Sequence, residues 1–182
     1  MKAFKAPSLN GLHARFFQRF WMVVGESVKH ELKQIFRLKR ISTQLNKPII
    51  ALIPKQLGPK TINHFRPVSL CNTIYKIVSK ILVLRMKHLM PTLISPTQTA
   101  FVSGRRWTDN VIVAQELVYN LEKKRGKIGF IVIKLDLEKA YDRLEWSFVR
   151  SMLFSFGFHE DTVELVMSCI SSTLASLLFN GN

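Results

Sequence analysis

The run "GFIVIKLD" (129–136) constrains the fold more than any other stretch of the chain. It is apolar, rich in β-branched residues and one strand long, which predicts a strand buried on both faces and therefore flanked by neighbours. It ends on a carboxylate, Asp136. An acid at that point either caps the helix that follows or holds a cation at the mouth of the sheet, because a desolvated carboxylate is costly without a positive partner. The strand pattern alone leaves both readings open. One hydrolase class also places an aspartate at a strand end, but it requires a second Asp two residues on, and Glu138 stands there.

Further elements follow from periodicity. Phe16, Phe17, Phe20, Trp21 and Val24 recur at helical steps after a possible cap at Asn10. Gly25 is expected to break or bend this helix before Val28, Leu32, Ile35 and Phe36 continue it to about Leu38. The aromatic stripe reads as core packing. "KPIIALIPK" (47–55) predicts a strand bounded by prolines, and Ile74, Ile77, Val78, Ile81, Leu82 and Leu89 predict a helix from Thr73 to about Met90, ended by Pro91 and Pro96. "SPTQTAFVSGRRWTDN" (95–110) reads as a loop with Asp109 capping a helix over 110–124, and Lys123 to Lys127 as a basic turn. Helices at about 144–156 and 160–170 and a final strand over 173–181 complete an α+β chain, its helices packed on a small, mostly antiparallel sheet.

Charge is distributed unevenly. The net charge is +15, and no Asp or Glu occurs from Leu32 to Thr108. Solvated lysines and arginines explain many basic stretches, but one this long without a compensating carboxylate favours a nucleic-acid partner. Lys76, Lys80, Arg85 and Lys87 line one face of the predicted helix from Thr73, where solvation and phosphate contact explain them equally well. The two cysteines, Cys71 and Cys169, lack metal-ligand spacing and suggest a reducing interior. "MKAFKAPSLN" has no signal-peptide core, and the charge-free stretch 165–182 is too rich in Ser, Thr and Asn for a bilayer. The expectation is a soluble intracellular protein of nucleus or cytoplasm, with no membrane partner.

Four segments share a resemblance. "IKLDLEKAYDRLEW" closely resembles the first palm motif of reverse transcriptases from non-LTR (LINE-type) retrotransposons, especially the plant lineage. "LIPK…INHFRPVSLCNTIYKIVSKILVLRMK", "LISPTQTAFVSGRRWTDNV" and "GFHEDTVELVMSCISST…NG" look like the same family, in the same order. The resemblance implies a partial right-hand polymerase fold: an N-terminal helical region (1–40), a basic fingers-like region (41–128) and an incomplete palm (129–182). It also implies RNA-directed DNA polymerase chemistry on an RNA template or RNA/DNA hybrid, with dNTP substrates and two Mg²⁺ ions.

Residue by residue, Asp136 matches the first metal-binding aspartate, assisted by the carbonyl of Leu137. Tyr141 matches the bulky residue beneath the incoming sugar, and Arg66 the fingers arginine on the triphosphate, with Lys55 as a second phosphate contact. Gln98, Gly104, Arg105 and Asn110 match the loop motif between fingers and palm, where Arg105 is expected to touch nucleic acid; Lys76 and Lys80 are further candidates.

Two loops depart from the pattern. Ser8, Leu9 and Asn10 replace most of a Gly-Pro-Asp-Gly turn, and Ser103 stands in place of a proline. The Gln-Gly-Asp-Pro and Tyr-x-Asp-Asp motifs, whose acids would complete the metal site, do not occur in the sequence. A lone carboxylate holds Mg²⁺ weakly, because this ion keeps its waters unless several oxygens converge. The expectation is a fragment inactive by itself and poorly soluble, its last strand an exposed apolar edge. The alternatives are a non-catalytic RNA-binding module and a retrotransposon remnant without function.

Overall fold

The computed structural model describes residues 11–124, 129, 131–137 and 140–177. Helix α1 (Ala14–Arg19) and helix α2 (Trp21–Leu38) open the chain. The interruption between them falls at Phe20, and α2 runs straight through Gly25, where a break or bend was expected. The physical reason is packing. The indole of Trp21, one turn earlier, lies so close that a Cβ at Gly25 would stand 3.0 Å from its Cε2, so the glycine provides room for a ring. The expected cap at Asn10 lies outside the described residues, and α1 starts from His13 with no side-chain cap.

Strand β1 (Ile49–Pro54) falls within the proline-bounded run read from sequence. Its antiparallel partner, β2 (Phe65–Leu70), was left unassigned by the sequence; a 3₁₀ turn at Ile62–His64 leads into it. Six residue pairs join them, from Ile49–Leu70 to Pro54–Phe65. Pro67 is tolerated because β2 lies at the sheet edge, in the order β2-β1-β3. Strand β3 (Ser176–Leu177) pairs parallel with Ile49 and Ile50 of β1, so the sheet is mixed. The described part of the expected final strand is thus short, and 178–181 lie outside the described residues.

Helix α3 (Thr73–Lys87) ends before Pro91, which lies in the first turn of the short α4 (Met90–Leu93), where proline's missing N–H costs nothing. Helix α5 (Trp107–Lys123) begins earlier than expected. Asp109 sits inside its first turn, where a carboxylate meets the positive end of the helix dipole, and is not its cap; Arg106 occupies that position. Of the expected basic turn, Lys123 ends α5 and 125–127 lie outside the described residues. Helices α6 (Trp146–Ser155) and α7 (Glu160–Ser171) match the sequence reading closely.

The largest departure concerns 129–136. Its described residues form no strand, and their apolar side chains lie open: Ile131, Ile133 and Leu135 are 87%, 75% and 86% exposed. A strand exists only when its backbone groups are paired, and among the described residues no segment pairs with this one.

Contacts gather the chain into two units. The first joins the residues up to Leu82 with those from Trp146 onward; the second comprises Val83–Glu145. In the first, Ile35, Ile41, Val78, Leu82, Leu165 and Cys169 form a buried cluster, with Leu32, Phe36 and Tyr75 packed against it. Helix α7 is its central element, burying Val163, Leu165, Met167 and Cys169. Asn46, buried and polar, ties the preceding loop to the end of α7. Its Nδ2 donates to the Cys169 carbonyl (2.9 Å) and to Ser172 Oγ (3.0 Å), and its Oδ1 accepts from Thr173 Oγ1 (3.3 Å). The Tyr75 hydroxyl donates to the same Cys169 carbonyl at 3.2 Å.

Candidate nucleotide and nucleic-acid contacts

The residues singled out from sequence fall into both units. Lys55, Arg66, Lys76 and Lys80 lie in the first, and Gln98, Arg105, Asp136, Leu137 and Tyr141 in the second. Within the first unit, Lys55 and Arg66 meet at one end of the β1–β2 ladder. Arg66 pairs with Ile53, and the ladder continues through the Lys55 N–H, which donates to the His64 carbonyl at 2.8 Å. Residues directly opposite in a ladder share a face, so Ile53 and Arg66 emerge on the same side, and Lys55 follows just past the end of β1. Arg66 is exposed, while the Lys55 ammonium rests on the Asn63 carbonyl at 3.1 Å. A guanidinium and an ammonium so arranged offer hydrogen-bond donors to an oxygen-rich anion.

Lys76 and Lys80 belong to α3, whose apolar face supplies Val78 and Leu82 to the core. Lys76 is half-buried and lies near Cys71, whose thiol burial pushes up while the ammonium draws it down. Lys80 is exposed. Burial alone pushes the Cys169 thiol up to about 11, so this cysteine is a protonated, unreactive part of the core.

In the second unit, Arg105 acts as an internal clamp. Its guanidinium donates to four backbone carbonyls: Ser95, Gln98 (2.6 Å), Pro91 (3.2 Å) and Ile94 (3.0 Å). Those of Pro91 and Ile94 lie at the end of α4, so the positive charge also meets the negative pole of that short helix. Gln98 donates from its Nε2 to the Ala100 carbonyl at 3.5 Å. Asn110 reaches back from α5 to the Thr97 carbonyl (2.9 Å) and Thr99 Oγ1 (3.2 Å). The loop is therefore held from both ends by polar side chains, and Gly104, with φ of +85°, provides a turn within it.

Tyr141 lies in a 3₁₀ turn, Ala140–Arg143, and is 73% exposed. Its ring meets that of Phe101 edge to face, with centroids 6.4 Å apart. Phe101 adopts φ 64°, an uncommon conformation for a bulky residue, and its side chain is 91% exposed. Asp136 and Leu137 are exposed, and Glu138 lies outside the described residues. Among the described residues, no three His, Cys, Asp or Glu side chains converge on a point that would suit a metal ion. Around Asp136, the donors among the described residues therefore do not make up a site for two Mg²⁺ ions. Among the described residues, no helix is long and apolar enough to cross a membrane.

Sequence reasoning missed Phe101 and Asn46. Phe101 stands in a polar loop three residues before a glycine, which is a weak sign of an exposed aromatic. Asn46, between Leu45 and Lys47, gives no sign of burial at all.

Comparison with known proteins shows the family. Residues 53–182 match the family described as "Reverse transcriptase (RNA-dependent DNA polymerase)". The chain belongs to that family. It is 33% identical over 154 residues to the "Transposon TX1 uncharacterized 149 kDa protein" of Xenopus laevis, an alignment covering 85% of this chain and 12% of that protein.

Proposed function

We propose that this chain is the fingers and first palm portion of a reverse transcriptase from a plant-type non-LTR (LINE) retrotransposon, with 41–128 as fingers and 129–182 as incomplete palm. The observation that carries this reading is the order of motifs inside the family match: "IPK", "FRPVSL", the loop with Gln98, Gly104 and Arg105, then Asp136 and Tyr141. The family reaction is RNA-templated DNA synthesis, for which Mg²⁺ supplies charge stabilisation when several carboxylates hold it. In this reading Asp136, with the Leu137 carbonyl, contributes one side of that site. Arg66 and Lys55 meet the triphosphate oxygens of a dNTP. The Tyr141 ring lies beneath the sugar, where a 2′-hydroxyl would collide with it. Lys76 and Lys80 take template phosphates, and Gln98 belongs to the template-side loop. Arg105 contributes through the loop it holds as well as through its charge.

Because the acids of the described residues do not converge, the purified chain is expected not to extend a DNA primer on an RNA template with Mg²⁺ and dNTPs. Extension that disappears in Asp136→Ala would overturn that expectation. The span without acids favours a second reading, a non-catalytic RNA-binding module. Salt-sensitive RNA binding weakened by Arg66→Ala but unchanged in Asp136→Ala supports the module, and failure to bind RNA even at low salt excludes both readings.

A further inference from the structure

A groove of about 530 Å³ runs between the N-terminal helices and α3. Phe17, Gln18 and Trp21 line one side, and Thr73, Ile77 and Lys80 the other; among the described residues no carboxylate lines it. Trp21 is 42% exposed, yet its position is set. Buried Gly25 receives the indole so closely that a Cβ there would stand 3.0 Å from Cε2 and 3.1 Å from Cδ2. The Lys29 ammonium stands 6.0 Å from the indole centroid, oriented by a 2.7 Å ion pair with Glu26. Next to Trp21, the Phe20 ring is 44% exposed and has the Arg19 guanidinium 5.8 Å from its centroid.

We infer that this groove is a stacking site for single-stranded nucleic acid, with Trp21 as its aromatic platform and Lys80 as its phosphate contact. Three observations favour that occupant. The groove pairs flat apolar walls with cations, and each nucleotide of a single strand offers both a π-face and a phosphate. The surrounding chain selects anions: from residue 11 to 82 the only acids are Glu26 and Glu31. A duplex hides its base faces, so a single strand fits where a duplex does not. The Lys80 contact rests on the template-side role proposed above, whereas Trp21 and Gly25 lie before residue 53, outside the matched family region, and add the stacking platform. It requires neither metal nor dNTP, and failure of primer extension leaves it standing.

The full chain carrying Trp107→Phe and Trp146→Phe leaves Trp21 as the sole indole. Titration with an oligouridylate of roughly 12 nucleotides at about 50 mM salt is expected to quench its emission, as stacking requires. Trp21→Ala, in the otherwise native chain, should weaken binding about tenfold by fluorescence anisotropy of a labelled oligouridylate. Lys80→Gln should reduce the salt slope by roughly 0.7, the share of one phosphate contact on a single strand. Gly25→Ala is the decisive variant. It retains every contacting group, but the added Cβ must push the indole aside, so binding should weaken while the helical circular dichroism of the chain stays native. Oligouridylate affinity unchanged in both Trp21→Ala and Gly25→Ala would overturn the inference. So would equal quenching by a duplex, or quenching by an acidic amphipathic peptide but not by oligouridylate.

Discussion

Two apolar runs in this chain look alike and end differently. "IIALIP" (49–54) and "FIVIKLD" (130–136) are both rich in β-branched residues and both suit a strand. The first finds β2 about ten residues further on and exchanges a six-pair ladder with it. The described part of the second pairs with nothing among the described residues and exposes Ile131, Ile133 and Leu135. The difference lies in the partner, since propensity is the same. β-Propensity reports how well a side chain fits a pleated surface, and the surface must be supplied by another segment.

This contrast sets the order of expected effects. The largest is in the packed unit: Leu165→Ala removes a side chain that is 2% exposed at the centre of the core, and should cost about 2–5 kcal/mol in urea unfolding. Ile133→Ala, at a residue 75% exposed, should stay within about 0.5 kcal/mol in the same experiment. A loss at Ile133 approaching that at Leu165 would mean the segment is packed after all, and the comparison would fail.

Asn46→Ala comes next. It removes the amide that donates to the Cys169 carbonyl and to Ser172 Oγ, leaving that carbonyl with the Tyr75 hydroxyl, and should cost about 1 kcal/mol. Asn46→Asp would be no rescue, because a carboxylate cannot donate to that carbonyl.

Arg105→Ala tests the other unit. The loop it clamps should open locally, seen as faster hydrogen exchange across 94–105, with global stability changed by about 1 kcal/mol or less. Arg105→Lys should restore little, since an ammonium cannot span four carbonyls as a planar fork does. If exchange across the loop is unchanged in Arg105→Ala, the clamp is not what orders it.

The last effect is a pH dependence rather than a substitution. The folded state raises the Cys169 thiol from its ordinary value near 9 to about 11, because burial disfavours the thiolate. A raised pKa contributes stability that is fully present below about pH 9 and is lost as pH rises toward 11. Unfolding midpoints followed across that window should fall in the native chain and fall less in Cys169→Ala. An identical alkaline slope in both would remove the thiol from the account.

The sequence made local structure legible and partnership illegible. α6 and α7 follow from apolar periodicity, and β1 from its bounding prolines, since each signal is contained within its own segment. Gly25 was misread because its role belongs to the Trp21 ring packed on it, and a helix tolerates glycine where a neighbour fills the space. Asp109 was placed as a cap because its side chain suits one, but α5 starts two residues before it. At the candidate site, residue types and order identified Arg66, Asp136 and Tyr141 as members of a pattern. The Phe101–Tyr141 ring pair and the carbonyl set around Arg105 depend on loop geometry that no spacing rule encodes.

The division of the core between distant parts of the chain has a consequence for synthesis on the ribosome. Ile35, Ile41, Val78 and Leu82 share their buried cluster with Leu165 and Cys169 of α7. Roughly 80 residues must emerge after Leu82 before that helix exists, which at about 5–20 residues per second is a delay of roughly 4–16 seconds. During that interval the early helices carry their apolar faces uncovered. A chaperone that shields such faces should therefore matter most while residues 83–171 are being made.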